Sequence, residues 1–130
     1  MKVKILPSKT SGEVSAPPSK SFAHRYLIGS VLSRGKCVIK NIADSDDISA
    51  TLSCIEQLGG SVTKDGNIVT VIPTNEKQIE NAVFDCKESG STLRFFIPVV
   101  LATGAKNCTF SGSERLLARG IKEYEKLFEN

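Results

Sequence analysis

The chain has 130 residues, 40% hydrophobic and 24% charged, the make-up of a water-soluble globular domain or a piece of one, and not of a disordered segment. Six Phe, two Tyr and no Trp leave the core to Ile, Leu and Val, a balance suited to an α/β (α+β) fold. The net charge of +3 is scattered along the chain rather than gathered in a stripe, which argues against a nucleic-acid module and for small anionic ligands.

Met1-Lys2-Val3-Lys4 leads into no apolar signal region. Pro17 and Pro18 stop any helix upstream, and Ser19 is a natural cap for a first helix from about Lys20 to Leu32. Phe22, Ala23, Tyr26, Leu27, Val31 and Leu32 recur at three- and four-residue steps and predict its apolar face. Gly35 closes it, and a strand follows over Cys37 to Ile42. Asp44 or Ser45 caps a second helix with a core face of Ile48, Leu52, Ile55 and Leu58, ended by Gly59-Gly60. Ser61 to Lys64 and Asn67 to Ile72 form a hairpin about Asp65-Gly66, and Pro73 ends the pairing.

A short strand over Ala82 to Cys86 leads to a third helix, Ser89 to Thr103, closed by Gly104. Pro98 inside it removes one backbone bond and predicts a kink near Arg94 or an irregular first turn. A strand over Asn107 to Ser111 and a last helix from about Leu116 to Phe128 complete the chain. Helix, strand, helix thus occurs twice. Sliding the first copy forward until Arg25 falls on Arg94 also sets Gly35 on Gly104 and Leu58 on Leu127. The second copy has no hairpin after it, so the chain is expected to stop in mid-unit.

Three segments carry candidate chemistry. Lys20, Ser21 and Arg25 crowd a helix start, where free amides and the dipole favour anions. Glu88-Ser89-Gly90-Ser91-Thr92-Leu93-Arg94 repeats the design, and Gly90 lets a ligand approach the backbone. Arg115 and Arg119 are one turn apart and would share a face. Each segment also has an ordinary reading as a capped helix start with solvated cations. Asp44, Asp46 and Asp47 read as a cap followed by dipole-favoured acids rather than a metal site.

His24, the only histidine, has no evident triad partner and reads as a polar helix residue. Cys37, Cys54, Cys86 and Cys108 form no C-x-x-C pair, so neither a zinc site nor any cofactor is expected. Buried, reduced thiols and an apolar run (Phe95 to Ala102) too short to span a bilayer point to a cytoplasmic protein without membrane contact.

Pro18-Ser19-Lys20-Ser21 with Arg25, Asp44-Ser45-Asp46-Asp47-Ile48, Glu88 to Arg94, and Glu114-Arg115-Leu116-Leu117-Ala118-Arg119 together resemble, in order and separation, the motifs of the 3-phosphoshikimate 1-carboxyvinyltransferase (EPSP synthase) family. Lys87 stands where that family usually has glycine, and Gly120 where it has proline. The resemblance implies part of a domain built from βαβαββ-type repeats, incomplete at its C-terminus. Residues 1–16 would belong to the other domain, and residues 17–130 to a partial N-terminal substrate-binding domain.

It also implies transfer of the enolpyruvyl group of phosphoenolpyruvate to the 5-hydroxyl of shikimate 3-phosphate. Lys20, Ser21 and Arg25 would hold shikimate 3-phosphate, while Lys20, Gly90 and Arg115 would hold phosphoenolpyruvate, with Arg94 and Asp47 as further candidates. The acid–base residues would lie outside this chain, leaving it inactive alone. The whole family member would be a monomer, whereas this piece can self-associate over an uncovered interface. Two alternatives stay open: a piece of the sister enzyme acting on UDP-N-acetylglucosamine, whose first motif has Lys-Asn in place of Lys20-Ser21, and a non-catalytic anion- or RNA-binding module.

Overall fold

Serine hydroxyls set where the three long helices begin. In the computed structural model, which describes residues 2–73 and 79–128, α1 (Lys20–Val31), α2 (Asp46–Gln57) and α3 (Gly90–Ala102) are capped by Ser19, Ser45 and Ser89. Each serine accepts a hydrogen bond from the amide three residues on, satisfying a donor that the helix itself leaves free. Asp46 and Asp47 follow in the first turn of α2, where the dipole favours them. Residues 2–19 carry no regular element.

Strands β1 (Cys37–Ile39), β2 (Ser61–Asp65) and β3 (Ile68–Ile72) form an antiparallel sheet in the order β1-β3-β2. Asp65 pairs with Ile68, so the hairpin turns on Gly66-Asn67, one residue later than the sequence suggests, with Gly66 at φ 54°. The strand expected to reach Ile42 stops at Ile39, because Asn41 turns the chain at φ 62°. Beyond the hairpin, β4 (Val83–Asp85) and β5 (Thr109–Ser111) pair in parallel through the α3 crossover.

The predicted last helix is two pieces, α4 (Glu114–Leu117) and α5 (Lys122–Phe128). Gly120, at φ 65°, reverses the chain between them. No described helix is long and apolar enough to cross a membrane.

The core lies where α1, α2 and α3 meet each other and the two sheets, centred on Leu27, Ile48, Ile55, Val69, Val71, Phe84 and Phe96. The buried face of α1 differs from the predicted one. Ala23, His24, Leu27 and Ile28 point inward, while Phe22, Tyr26 and Leu32 are exposed, and the Phe22 and Tyr26 rings stack on each other at 6.2 Å. Leu52 of α2 is only partly buried, and Cys54 fills the core beside Ile55.

All four cysteines are free. Cys54 and Cys86 are buried, whereas Cys37 and Cys108 are half-buried. The neighbouring Cys86 thiol and burial both push the Cys54 thiol upward, so it stays protonated and inert.

α3 runs unbroken through Pro98. Proline offers no N–H to the Arg94 carbonyl one turn back. Tyr124 of α5 fills the gap, its hydroxyl donating to Arg94 O at 2.7 Å. Tyr124→Phe should therefore destabilise the fold by about 1 kcal/mol, read as a lowered denaturant midpoint. An unchanged midpoint would mean that the carbonyl does not depend on this donor.

The two copies of helix–strand–helix share one detail beyond layout. Arg25 donates to the carbonyl of Ser21, and Arg94 to that of Gly90, each a bond from a guanidinium to the first turn of its own helix.

Candidate functional site: an anion-binding cavity between two helix starts

The first turns of α1, α2 and α3 converge on an open cavity of about 520 Å³ lined by Lys20, Asp47, Glu88, Gly90, Ser91, Arg94, Phe95 and Arg119. Helix starts carry free amides and the positive end of the dipole, so two sources of anion affinity face one space. Lys20, the first residue of α1, donates to Asp47 Oδ2 at 2.6 Å. The pair is half-exposed and adds little stability, but it keeps the ammonium at the mouth of the cavity.

Gly90 opens α3 at the wall itself. A Cβ there would lie 3.0 Å from Arg94 Nη1 and 3.4 Å from Arg119 Nη1. Arg94 is half-buried and donates to the carbonyls of Gly90 and Gly120, both at 3.4 Å, which ties the start of α3 to the turn between α4 and α5.

Of the residues singled out from sequence, the structure brings Lys20, Asp47, Glu88, Gly90, Ser91, Arg94 and Arg119 to this wall. Ser21 and Arg25 lie on the same helix start but outside it, with Arg25 over the ring of Phe95, 5.1 Å from its centroid, and Phe95 in turn lining the cavity. Arg115 is exposed and off the wall.

The expectation that Arg115 and Arg119 share a helix face does not hold. α4 ends after one turn at its cap, Ala118, and Arg119 lies beyond it on the turn toward Gly120. Of the two arginines named together from the sequence, Arg119 reaches the cavity and Arg115 does not.

Behind the cavity runs a buried polar chain. His24 Nδ1 lies 2.8 Å from Thr51 Oγ1, which is 2.8 Å from Thr92 Oγ1, which is 2.6 Å from the capping Ser89 Oγ. It links the three helices that build the site. Thr51 and Thr92 also reach the carbonyl of Asp47, the residue that holds Lys20. No spacing signals it, because the only histidine reads as a polar helix residue until α1 is rotated into place.

His24 Nε2 is buried and finds no hydrogen-bond partner among the described residues. With the imidazole proton on Nδ1, His24 donates to Thr51, whose own hydrogen then has Asp47 O and Thr92 as acceptors.

Burial lowers the His24 pKa below its ordinary 6.5; Asp47 opposes this, and Lys20 and Arg25 reinforce it. Because the folded pKa is depressed, the stability linked to neutral His24 is complete above pH about 6.5 and is lost as pH falls through the folded value. The wild-type chain should lose stability between pH 7 and pH 5 faster than His24→Gln, which keeps a polar partner for Thr51 without titrating. Parallel pH profiles of the two unfolding midpoints would contradict a buried neutral imidazole.

A second cavity of about 520 Å³, between α3, β5 and the α4–α5 turn, is walled by Ile97, Val100, Phe110, Leu116 and Ile121. Its apolar lining holds no lysine or arginine, so it does not suit an anion.

Among the described residues no cluster of three or more His, Cys, Asp or Glu side chains is placed to hold a metal ion. What the first cavity offers is cationic and amide recognition of phosphate or carboxylate.

Comparison with known proteins points to one family. The family model for EPSP synthase (3-phosphoshikimate 1-carboxyvinyltransferase) matches residues 6–130. The 3-phosphoshikimate 1-carboxyvinyltransferase of Clostridium novyi (strain NT) is 40% identical over 98% of this chain, which spans 31% of that relative. Its counterpart in Clostridium botulinum (strain Eklund 17B / Type B) is 42% identical over 98% of the chain and 30% of the relative. That of Clostridioides difficile (strain 630) is 44% identical over 91% of the chain and 28% of the relative. The chain therefore spans under a third of the length of these curated relatives. With a family match over residues 6–130, the chain belongs to the EPSP synthase family.

Proposed function

We propose that this chain forms the anion-binding part of an enzyme that transfers the enolpyruvyl group of phosphoenolpyruvate to the 5-hydroxyl of shikimate 3-phosphate, releasing phosphate. The observation that carries this reading is the cavity uniting Lys20 from the start of α1 with Gly90 and Arg94 from the start of α3. Two polyanions can be brought together only if several cations and amide donors offset their repulsion and lost hydration.

Lys20, Ser21 and Arg25 hold the phosphate of shikimate 3-phosphate in this reading. Lys20, Gly90 and Arg115 hold phosphoenolpyruvate, with Arg94 and Asp47 beside them. Asp47 keeps Lys20 oriented until an anion competes for the ammonium.

Residues 17–130 form the substrate-binding part, and residues 1–16 pack with another domain in a full-length protein. Proton transfer belongs to regions of the relatives that this chain does not span, so the chain alone does not turn over. The enzyme acts in the cytoplasm, consistent with its free cysteines.

Calorimetric titration of the chain tests the choice of substrate, with shikimate 3-phosphate in one arm and UDP-N-acetylglucosamine in the other. Binding of the first alone supports the reading. Binding of the UDP-sugar alone would assign the chain to the sister chemistry, and product formation by the pure chain would overturn its inactivity.

A further inference from the structure

We propose that Thr51 and Thr92 are positioning residues of the anion cavity, an inference that rests on the anion-binding reading above. Their hydroxyls hold the starts of α2 and α3 in register, so that Lys20 and the Gly90 amide face one ligand. Neither threonine lines the cavity. Both are fully buried, and His24 and Ser89, at the two ends of the polar chain, are only 1% exposed.

Apolar contacts between helices have no direction and permit small slides. A buried hydrogen bond does not, because a misaligned partner leaves a polar group unpaired in the core. Thr51 of α2 and Thr92 of α3 meet at 2.8 Å. Across the same gap Thr92 lies 3.4 Å from the Asp47 carbonyl, and within its own first turn it donates to Ser89 Oγ at 2.6 Å. Asp47 holds the Lys20 ammonium, and Ser89 caps the helix that Gly90 opens. Thr92 thus ties the partner of one anion-binding group to the backbone of the other.

The two branches of threonine divide the work. The buried methyl fills space and contributes stability, whereas the hydroxyl sets the alignment. Valine keeps the shape without the hydroxyl, and serine keeps the hydroxyl without the methyl.

The test titrates inorganic phosphate and shikimate 3-phosphate separately into the wild-type chain, Thr92→Val, Thr92→Ser, Thr51→Val and Val71→Ala. Amide chemical shifts are followed well below the melting midpoint of each chain. Val71, buried on β3 and off the cavity wall, controls for destabilisation alone.

Thr92→Val should weaken both anions by about tenfold, because the site is no longer held in its binding geometry. Thr51→Val should act in the same direction, and it carries the test if Thr92→Val does not fold. Thr92→Ser should bind within about twofold of wild type despite its lost methyl. Val71→Ala should bind as wild type whatever its melting midpoint. The order of affinities then departs from the order of stabilities, which a purely structural role does not produce.

Thr92→Val binding as wild type does, or Thr92→Ser losing as much as Thr92→Val, overturns the positioning role while the anion reading stands. Equal loss in Val71→Ala also overturns it, since the effect is then one of stability. A wild-type chain that binds neither ligand defeats the anion reading and the proposal with it.

Discussion

Lys20→Ala should weaken the hold of the chain on shikimate 3-phosphate by about ten- to a hundredfold and leave its unfolding temperature nearly unchanged. Lys20 is the lysine on the cavity wall, it opens α1, and its ammonium stands where the helix dipole also favours an anion. A charge-assisted hydrogen bond to phosphate is worth about 1.5–3 kcal/mol, which gives the expected loss. Folding gains little from the same side chain, because its one ion pair, to Asp47, is half-exposed. Calorimetry alongside a thermal melt separates the two effects. A large fall in melting temperature with affinity unchanged would make Lys20 a structural residue.

Phe84→Ala should cost about 3–5 kcal/mol of stability, read as a shift in denaturant midpoint. Phe84 is fully buried on β4 and lies directly across the parallel ladder from Phe110, with ring centroids 5.2 Å apart. Its other neighbour is Phe96 of α3, at 6.1 Å. One side chain thus joins both strands of the parallel pair to the helix that crosses between them, and removing it leaves a cavity under the start of the site. Stability of an ordinary domain of this size is only about 6–20 kcal/mol, so the loss is a large share of it. A cost under about 1 kcal/mol would show that the aromatic cluster is not the keystone of this half of the fold.

How much of this was legible in the sequence depends on the range of the forces involved. Local signals were read correctly: the serine cap at Ser19, the start of α3 near Ser89, the glycine stop at Gly104, the hairpin near Gly66, and the strand before α3. These rest on hydrogen bonds and torsions within a few residues, so a few residues reveal them.

The face of α1 was read only in part, right at Ala23 and Leu27 and wrong at Phe22, Tyr26 and Leu32, because its apolar residues nearly encircle it and spacing cannot say which arc meets the sheet. Packing chose the arc of Leu27 and Ile28, which took His24 inside and left Phe22 and Tyr26 to cover each other in solvent. The buried chain from His24 to Ser89 joins three separate helices, and no spacing rule links such distant positions.

At the site, Lys20, Asp47, Gly90 and Arg94 were legible because motif and cavity coincide. Arg119 was named as a candidate, but its direction was not legible, because it depends on a helix that ends at Ala118 and a left-handed glycine next to it. Helical spacing paired it with Arg115, and one broken turn separates them.

The most direct test of the central claim is an amide NMR titration of the isotope-labelled chain with shikimate 3-phosphate, with UDP-N-acetylglucosamine as the control. The account predicts shifts concentrated at Lys20, Ser21, Arg25 and Gly90 with shikimate 3-phosphate, and none there with the UDP-sugar. Equal responses to both ligands, or shifts centred on the apolar cavity around Ile97 and Phe110, would contradict it.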